Sequence, residues 1–310
     1  EGADTILRSE ITERLDHSHI QLSQPMAPGT DLRKVGEDIL DGALLLPVGT
    51  LIRPAEIGLL ASTNRSVISV YRKPRVAILS TGDEIVDVDD EMEDGKIVDS
   101  NGYALSALVM DTGAEVVRIG ICPDTQEALE QKLREGLSFD VIITSGGVSV
   151  GEYDFVKLAL DALGTTMDFW KVAMTPGRPL AFGMIQDTLA FGLPGNPVAS
   201  MVTFELFTRP ALLKMQGYSN LYRRTVRAIL LEDINKVLGR KQFIRMQLQQ
   251  RGDAIYASRT GAQGSGILRS MSLADGLAIT HEDQIHLKTG DEIEVMLLGG
   301  FSDLANNRNC

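Results

Sequence analysis

Asp140-Val-Ile-Ile-Thr-Ser-Gly-Gly-Val-Ser-Val-Gly-Glu-Tyr-Asp154 is the stretch on which the fold turns. Its first half is a short apolar, β-branched run, the pattern of a strand covered on both faces. The run breaks at Ser145-Gly146-Gly147, where missing Cβ atoms let backbone N–H groups turn toward a ligand, and a helix restarts near Asp154. Strand, glycine turn and helix start together predict an anion site at the carboxyl edge of a parallel sheet. A tight βα turn without a ligand is the plainer alternative for this stretch taken alone.

Working upstream, Val76-Ala-Ile-Leu79 is a second buried strand, ending in Ser80-Thr-Gly-Asp-Glu84. Asp99-Ser-Asn-Gly102 opens a helix carrying Leu105, Leu108 and Val109, which Gly113 stops. Residues 115–121 read as the next strand, and Pro123-Asp124 starts a helix with Leu129, Leu133 and Leu137 on one face. Downstream come a strand near 167–172, the loop Thr175-Pro-Gly-Arg-Pro179, and two strands around 180–184 and 188–192. Leu193-Pro-Gly-Asn-Pro-Val198 then begins a long helix reaching about Gly217, with a bend expected at Pro210. This alternation predicts a three-layer α/β/α domain over residues 74–220.

The rest of the chain differs in rhythm. Residues 1–35 are polar and broken, residues 36–73 hold a helix beginning at Pro54 and a strand near 67–71, and residues 221–300 are strands alone, as in a small β domain. Gly261-Ala-Gln-Gly-Ser-Gly266 interrupts that β domain, and residues 301–310 read as a polar tail.

The chain has 310 residues, enough for two or three domains, with 44% hydrophobic and 23% charged residues, as in soluble globular proteins. A net charge of -12 argues against nucleic acid or an anionic membrane as partner, and no run is long enough to cross a bilayer. Cys122 and Cys310 stand far apart and unaccompanied, which suggests a reducing, cytoplasmic setting and no disulfide framework.

Asp83 and Glu84 follow a buried strand, where a sheet edge would present them to solvent; adjacent carboxylates suit Mg²⁺, and turn chemistry with solvated acids is the alternative. Asp124 has Glu127 three residues later, a spacing that also suits helix capping. Asp154 sits just after the glycine turn, and acids following successive strands converge on one rim of a doubly wound sheet. Arg178, with Lys171 upstream, offers positive charge to an oxyanion in an otherwise acidic chain. Trp170 reads as core more than as a stacking platform.

Taken together, Ser80-Thr-Gly-Asp-Glu84, Asp99-Ser-Asn101, Pro123-Asp124, Thr144-Ser-Gly-Gly-Val-Ser-Val-Gly-Glu-Tyr-Asp154, Pro176-Gly-Arg-Pro179, Gly192-Leu-Pro-Gly-Asn-Pro-Val198 and Gln263-Gly-Ser-Gly266 resemble the MoeA/gephyrin E-domain family, the molybdopterin molybdenumtransferases. The resemblance covers nearly the whole chain in family order. It implies a MoaB/MogA-like central α/β domain, a small C-terminal β-barrel-like domain, remnants of N-terminal β-rich domains, and a homodimer. Adenylylated molybdopterin and molybdate would be the substrates, Mg²⁺ the cation and AMP a product, and the molybdopterin adenylyltransferase is a candidate partner. By matching motifs, Asp83, Glu84, Asp124 and Asp154 would serve metal and phosphate, and Ser145, Gly146 and Gly147 would cradle the pterin phosphate. Arg178, Arg245 and Ser265 would hold oxyanion or molybdate, with Thr81, Gly82, Ser100, Asn101, Lys171, Pro194 and Asn196 completing the binding surface.

Two departures stand out. Position 175, often basic in relatives, is Thr175, and Glu1-Gly-Ala-Asp4 matches a point inside the family's second domain, so the resemblance implies an N-terminally shortened chain with impaired turnover. The rival readings are a molybdopterin adenylyltransferase, which needs neither the β domain after Tyr222 nor the segment before Pro74, and a gephyrin-like scaffold without catalysis.

Overall fold

The structure is a computed structural model; it describes residues 4–147, 155–236 and 238–299, with the side chains of Phe155, Lys157, Met167, Phe169 and Trp170 left out. The readings made for Asp154, for the Trp170 side chain and for Cys310 therefore lie outside the described residues. The chain divides into two compact units, one ending at Ile68 and the other starting at Ser69.

The first unit is built from little. Strands Thr12–Arg14 and Ile20–Leu22 pair antiparallel, and a helix spans Pro54–Ser62 with proline in its first turn. Glu56 reaches back to the Arg53 N–H at 2.9 Å and pairs with its guanidinium at 2.6 Å, which holds the carboxyl down at about 2. Residues 67–71 join no ladder, so the strand expected there does not form.

In the second unit, strands β1 (Arg75–Thr81), β2 (Glu115–Cys122), β3 (Val141–Ser145), β4 (Thr166–Lys171), β5 (Pro179–Ile185) and β6 (Thr188–Leu193) make one sheet in the order β2-β1-β3-β6-β5-β4. β2, β1, β3 and β6 run parallel, and β5 runs antiparallel to both of its neighbours. Helices α1 (Ser100–Asp111), α2 (Gln126–Gly136) and α3 (Phe155–Ala162) cross between strands; α4 (Pro197–Thr203) and α5 (Arg209–Met215) follow β6.

The two faces of the sheet are written in the strand sequences with period two. Ala77, Leu79 and Ile142 pack with Leu129 and Leu133 of α2 and with Val156, Ala159 and Leu160 of α3. Val76, Ile78, Val141 and Ile143 pack the other way, with Leu105 and Val109 of α1, Leu212 of α5 and Phe204. Both layers are fully buried, so truncating one of these leucines to alanine costs about 2–5 kcal/mol.

The long helix after β6 is irregular just before Pro210, where the sequence predicts a bend. It passes through a π-helical turn, Phe204–Thr208, that separates α4 from α5. The buried Glu205 of that turn is gripped by Arg223, with contacts of 2.9 and 3.0 Å, and Arg209 lies 3.7 Å away.

Beyond Arg224, strands β7 (Thr225–Leu230), β8 (Lys241–Arg251), β9 (Ala254–Arg259), β10 (Gly276–Thr280) and β11 (Glu292–Leu297) form the ring β9-β7-β11-β10-β8, closed by the pairing of β8 with β9. A barrel of this kind removes free strand edges and fills its interior with side chains, here including Ala228, Ile244, Met246, Ala278 and Val295. A two-residue strand, Met174–Thr175, leaves the α/β domain and adds to β8 in parallel, so the loop before Arg178 belongs to both sheets. Val198 and Val202 of α4 pack with Phe243, Met271, Leu277 and Met296 of the barrel.

Candidate functional site

The ends of β1, β2, β3 and β6 lie side by side, and backbone bonds zip the loops that follow them. Gly82 donates to the Cys122 carbonyl at 3.2 Å, and Gly146 donates to the Leu193 carbonyl at 3.1 Å. The Asp124 N–H donates to Asp83 Oδ1 at 3.1 Å, which ties the loop after β2 to the loop after β1.

Asp124 does not cap α2. The hydroxyl of Thr125, one residue on, accepts from the Ala128 N–H and is the N-cap. The Asp124 carboxylate is left with Oδ1 buried and without a hydrogen-bond partner, and burial, then the charges of Asp83 and Glu84, raises its pKa. Such an oxygen, crowded by like charge, is a group waiting for a cation or a proton. Among the described residues no three carboxylate, histidine or cysteine side chains close a metal site by themselves. That fits a hard cation of the Mg²⁺ kind, which takes one or two carboxylates and fills its remaining positions with water and substrate phosphate.

Next along the rim is the glycine turn. Gly146 has φ +92, and a Cβ placed on it would stand 2.5 Å from the Thr81 carbonyl; one on Gly147 would stand 2.5 Å from Val156 Cγ2 and 2.8 Å from Thr81 Oγ1. Only glycine fits, so the backbone comes down onto the end of β1. Thr81 Oγ1 is itself buried and without a partner directly beneath the turn. Asn101, in the first turn of α1, donates from Nδ2 to Ser145 Oγ and to the Gly195 carbonyl, both at 2.8 Å. Asp99 caps α1 through the Gly102 N–H and accepts from Ser80 Oγ, each at 2.8 Å. Ser100 stands between them, half-buried, at the helix start.

Positive charge lies at the far end of the rim. Lys171 ends β4 and Arg178 immediately precedes β5, and both are exposed. With strands about 4.8 Å apart, β5 and β4 stand three and four places from β1, so these charges lie about 15–20 Å from the acids. Pro194 is buried beside Gly195, while Asn196 is exposed at the start of α4, its carbonyl accepting from the Ser200 N–H at 2.9 Å and its side chain making no cap bond to the helix.

The barrel contributes the glycine loop. Ser265 accepts from the Val198 N–H at 3.0 Å, and Gly266 approaches Asn196. Arg245, on β8, is 1% exposed and turned under this loop, donating from Nη2 to the Gly264 carbonyl at 2.9 Å and from Nε to Ser270 Oγ at 3.0 Å. No carboxylate among the described residues pairs with it, and burial lowers its pKa. Sequence reasoning missed Gln263, whose side chain ties the loop to β8 by accepting from the Arg245 N–H and donating to the Arg245 carbonyl. Its place inside the quoted glycine motif was the one available signal. Cys122, also at the rim, is buried with its thiol pKa pushed up, so it offers no thiolate.

The fold is that of an α/β protein with a glycine turn at the sheet edge, acidic side chains at one end of that edge and basic ones at the other. Residues 77–214 match the family described as a probable molybdopterin binding domain, residues 227–298 the MoeA C-terminal region (domain IV), and residues 1–64 the MoeA N-terminal region (domain I and II). The chain is 32% identical over 299 residues to the molybdopterin molybdenumtransferase of Haemophilus influenzae, covering 95% of this chain and 74% of that one. It is 34% identical over 303 residues to the molybdopterin molybdenumtransferase of a Nostoc species, covering 96% and 69%. Its structure is similar to that of the molybdopterin biosynthesis MoeA protein from Pyrococcus horikosii, with a TM-score of 0.79 at 31% identity over 96% of this chain and 73% of that one. The chain belongs to the molybdopterin molybdenumtransferase family.

Proposed function

We propose that this chain is a molybdopterin molybdenumtransferase acting in molybdenum cofactor biosynthesis, with adenylylated molybdopterin and molybdate as substrates and AMP as a product. The observation that carries the finer reading is the distribution of charge along one sheet edge, from Asp83, Glu84 and Asp124 through the Ser145 turn to Arg178 and Lys171. A molecule with phosphates between two organic ends needs that kind of track, about 15–20 Å long.

Asp83, Glu84 and Asp124, with Asp154, would hold Mg²⁺ or a similar cation, which supplies positive charge to the phosphoanhydride when bound. The protein's own groups then do the positioning. The Ser145-Gly146-Gly147 turn would cradle a phosphate through the Ser145 hydroxyl and the Gly147 N–H, the Gly146 N–H being taken by the Leu193 carbonyl, with Thr81 and Gly82 below it and Ser100, Asn101, Pro194 and Asn196 lining the path toward the second phosphate. Hydrolysis adds water across the anhydride, and negative charge grows on the departing phosphate oxygen. That charge would be opposed by the cation at the acids, while Arg178 and Lys171, about 15–20 Å away at the other end of the rim, would hold an oxyanion such as molybdate. Arg245 supplies buried positive charge beneath the loop of Ser265, which suits molybdate.

The same proposal places the chain in the cytoplasm and pairs it with a second copy. Val35, Leu44 and Val48, each at least 80% exposed in the first unit, favour burial against a partner. No helix among the described residues is long and apolar enough to cross a membrane.

The test is to incubate the protein with adenylylated molybdopterin, molybdate and Mg²⁺ and to follow AMP. Molybdate-dependent AMP release is expected, together with no pyrophosphate from ATP and molybdopterin. Pyrophosphate formation would assign the chain to the adenylyltransferase reaction instead.

A further inference from the structure

Ser80 and Ser145 are register partners at the ends of adjacent strands β1 and β3, both buried, yet their hydroxyls are wired in opposite senses. Ser80 donates its proton to the carboxylate of Asp99. The case of Ser145 is decided by Asn101. Its amide group touches a backbone carbonyl, that of Gly195, which can only accept, so the atom facing both partners is the amide nitrogen. The same nitrogen therefore donates to Ser145 Oγ, which must accept. The Ser145 proton is left with no acceptor among the described residues.

We infer that Asn101 is a positioning residue that holds the Ser145 hydroxyl as a donor facing the glycine turn, ready for a phosphate oxygen. Ordinarily a serine hydroxyl can turn either way, and with one proton and two lone pairs it can equally present a lone pair to an incoming anion. Here one lone pair is already occupied by Asn101. The proton then stays available to the ligand, so binding need not spend energy on turning the hydroxyl. By bonding Gly195 with the same nitrogen, Asn101 also keeps the loop after β6 against the turn, where Gly195 and Gly146 approach closely.

This inference rests on the molybdopterin reading of the site, and its test separates the two. Molybdopterin, held under anaerobic conditions, is titrated into the wild-type chain and into N101A, N101D, S145A and the double variant N101A/S145A. Their thermal unfolding is recorded alongside. Wild type binds; N101A and S145A each weaken binding by a factor of about three to ten, and the double variant loses clearly less than the product of the two factors, any remainder beyond S145A coming from the freed Gly195 loop. N101D weakens binding further, about 30-fold or more, because a carboxylate takes the Ser145 proton for itself and adds negative charge. Lowering the pH from 7 toward 5 restores part of the N101D loss, since a protonated carboxyl again donates, while wild type measured in parallel shows no such recovery. S145A removes one oxygen only, so the cycle stays readable even if N101D folds poorly. Additive losses in the double variant, or N101D binding as well as N101A, would overturn the role of Asn101 with the ligand reading intact. A wild-type chain that does not bind molybdopterin overturns both.

Discussion

The backbone N–H of Val198 donates to the carbonyl of Ser265 at 3.0 Å, so a loop of the barrel caps the first turn of the helix that follows β6. The orphan N–H groups at a helix start need acceptors, and this one comes from more than sixty positions along the chain. The barrel's glycine loop is thereby fixed at the end of the sheet rim. Arg245 holds the same loop from below through Gly264.

Arg245→Lys is expected to weaken molybdate binding about tenfold or more while leaving the α/β domain folded. Lysine keeps the charge but cannot span Ser270 and Gly264 with a planar fork, so the loop loosens. Molybdate titration followed by calorimetry checks the first part. Faster amide exchange confined to residues 261–266 checks the second.

Asp124→Asn is expected to cut Mg²⁺-dependent AMP release by about a hundredfold or more and, without divalent cation, to raise the melting temperature at pH 7 by about 1–3 °C. The sign follows from the raised pKa: the folded state disfavours the charged carboxylate, so stability falls as pH rises from the unfolded value of about 4 through the higher folded value. Above that window the wild type carries the full penalty. The amide carries none, and the gain should vanish once the carboxyl is protonated below it. Melting curves from pH 3 to 8 measure this, and a gain that persists at low pH would sink the argument.

Gly146→Ala should cost about 2–3 kcal/mol of stability and abolish ligand binding. Its φ of +92 strains any other residue, and the new methyl would stand 2.5 Å from the Thr81 carbonyl, which is backbone and cannot step aside. Urea unfolding of the variant, with binding measured on the folded fraction, provides the check.

Glu205→Ala should destabilise the chain by about 3–5 kcal/mol, since it leaves Arg223 and Arg209 facing each other without their buried counter-charge. Arg209 already feels this, its pKa being lowered by burial and then by Arg223. The denaturant midpoint should fall with little change in slope. A shift below about 1 kcal/mol would show the ion pair to be dispensable.

Much of the α/β domain can be read from the sequence because its strands are buried on both faces. Runs such as Val76-Ala-Ile-Leu79 and Val141-Ile-Ile-Thr144 have no solvent side to confuse the pattern. What escaped was set by contacts remote in sequence. Pro210 marks the neighbourhood where the helix is irregular, but the form of that irregularity, a π-helical turn at Phe204–Thr208 whose Glu205 is held by Arg223 18 positions away, is not written in the local sequence. Asp124 and Thr125 are both capping residue types, and only the backbone path decides that Thr125 turns to the helix while Asp124 faces the acids. Residues 67–71 alternate like a strand, yet no neighbour offers them a ladder. The two-residue strand Met174–Thr175 is too short to leave any periodic trace.

That short strand makes the peptide carrying Arg178 common property of sheet and barrel, with Lys241 and Gln242 as its partners on β8. The Arg178 carbonyl itself accepts from the Val172 N–H at 3.0 Å, so the guanidinium is rooted in the α/β sheet three positions after the point where the same loop is stitched to the barrel. The small domain is thus fastened beside the basic pole of the rim, by a seam that leaves the acidic end on β1 and β2 untouched.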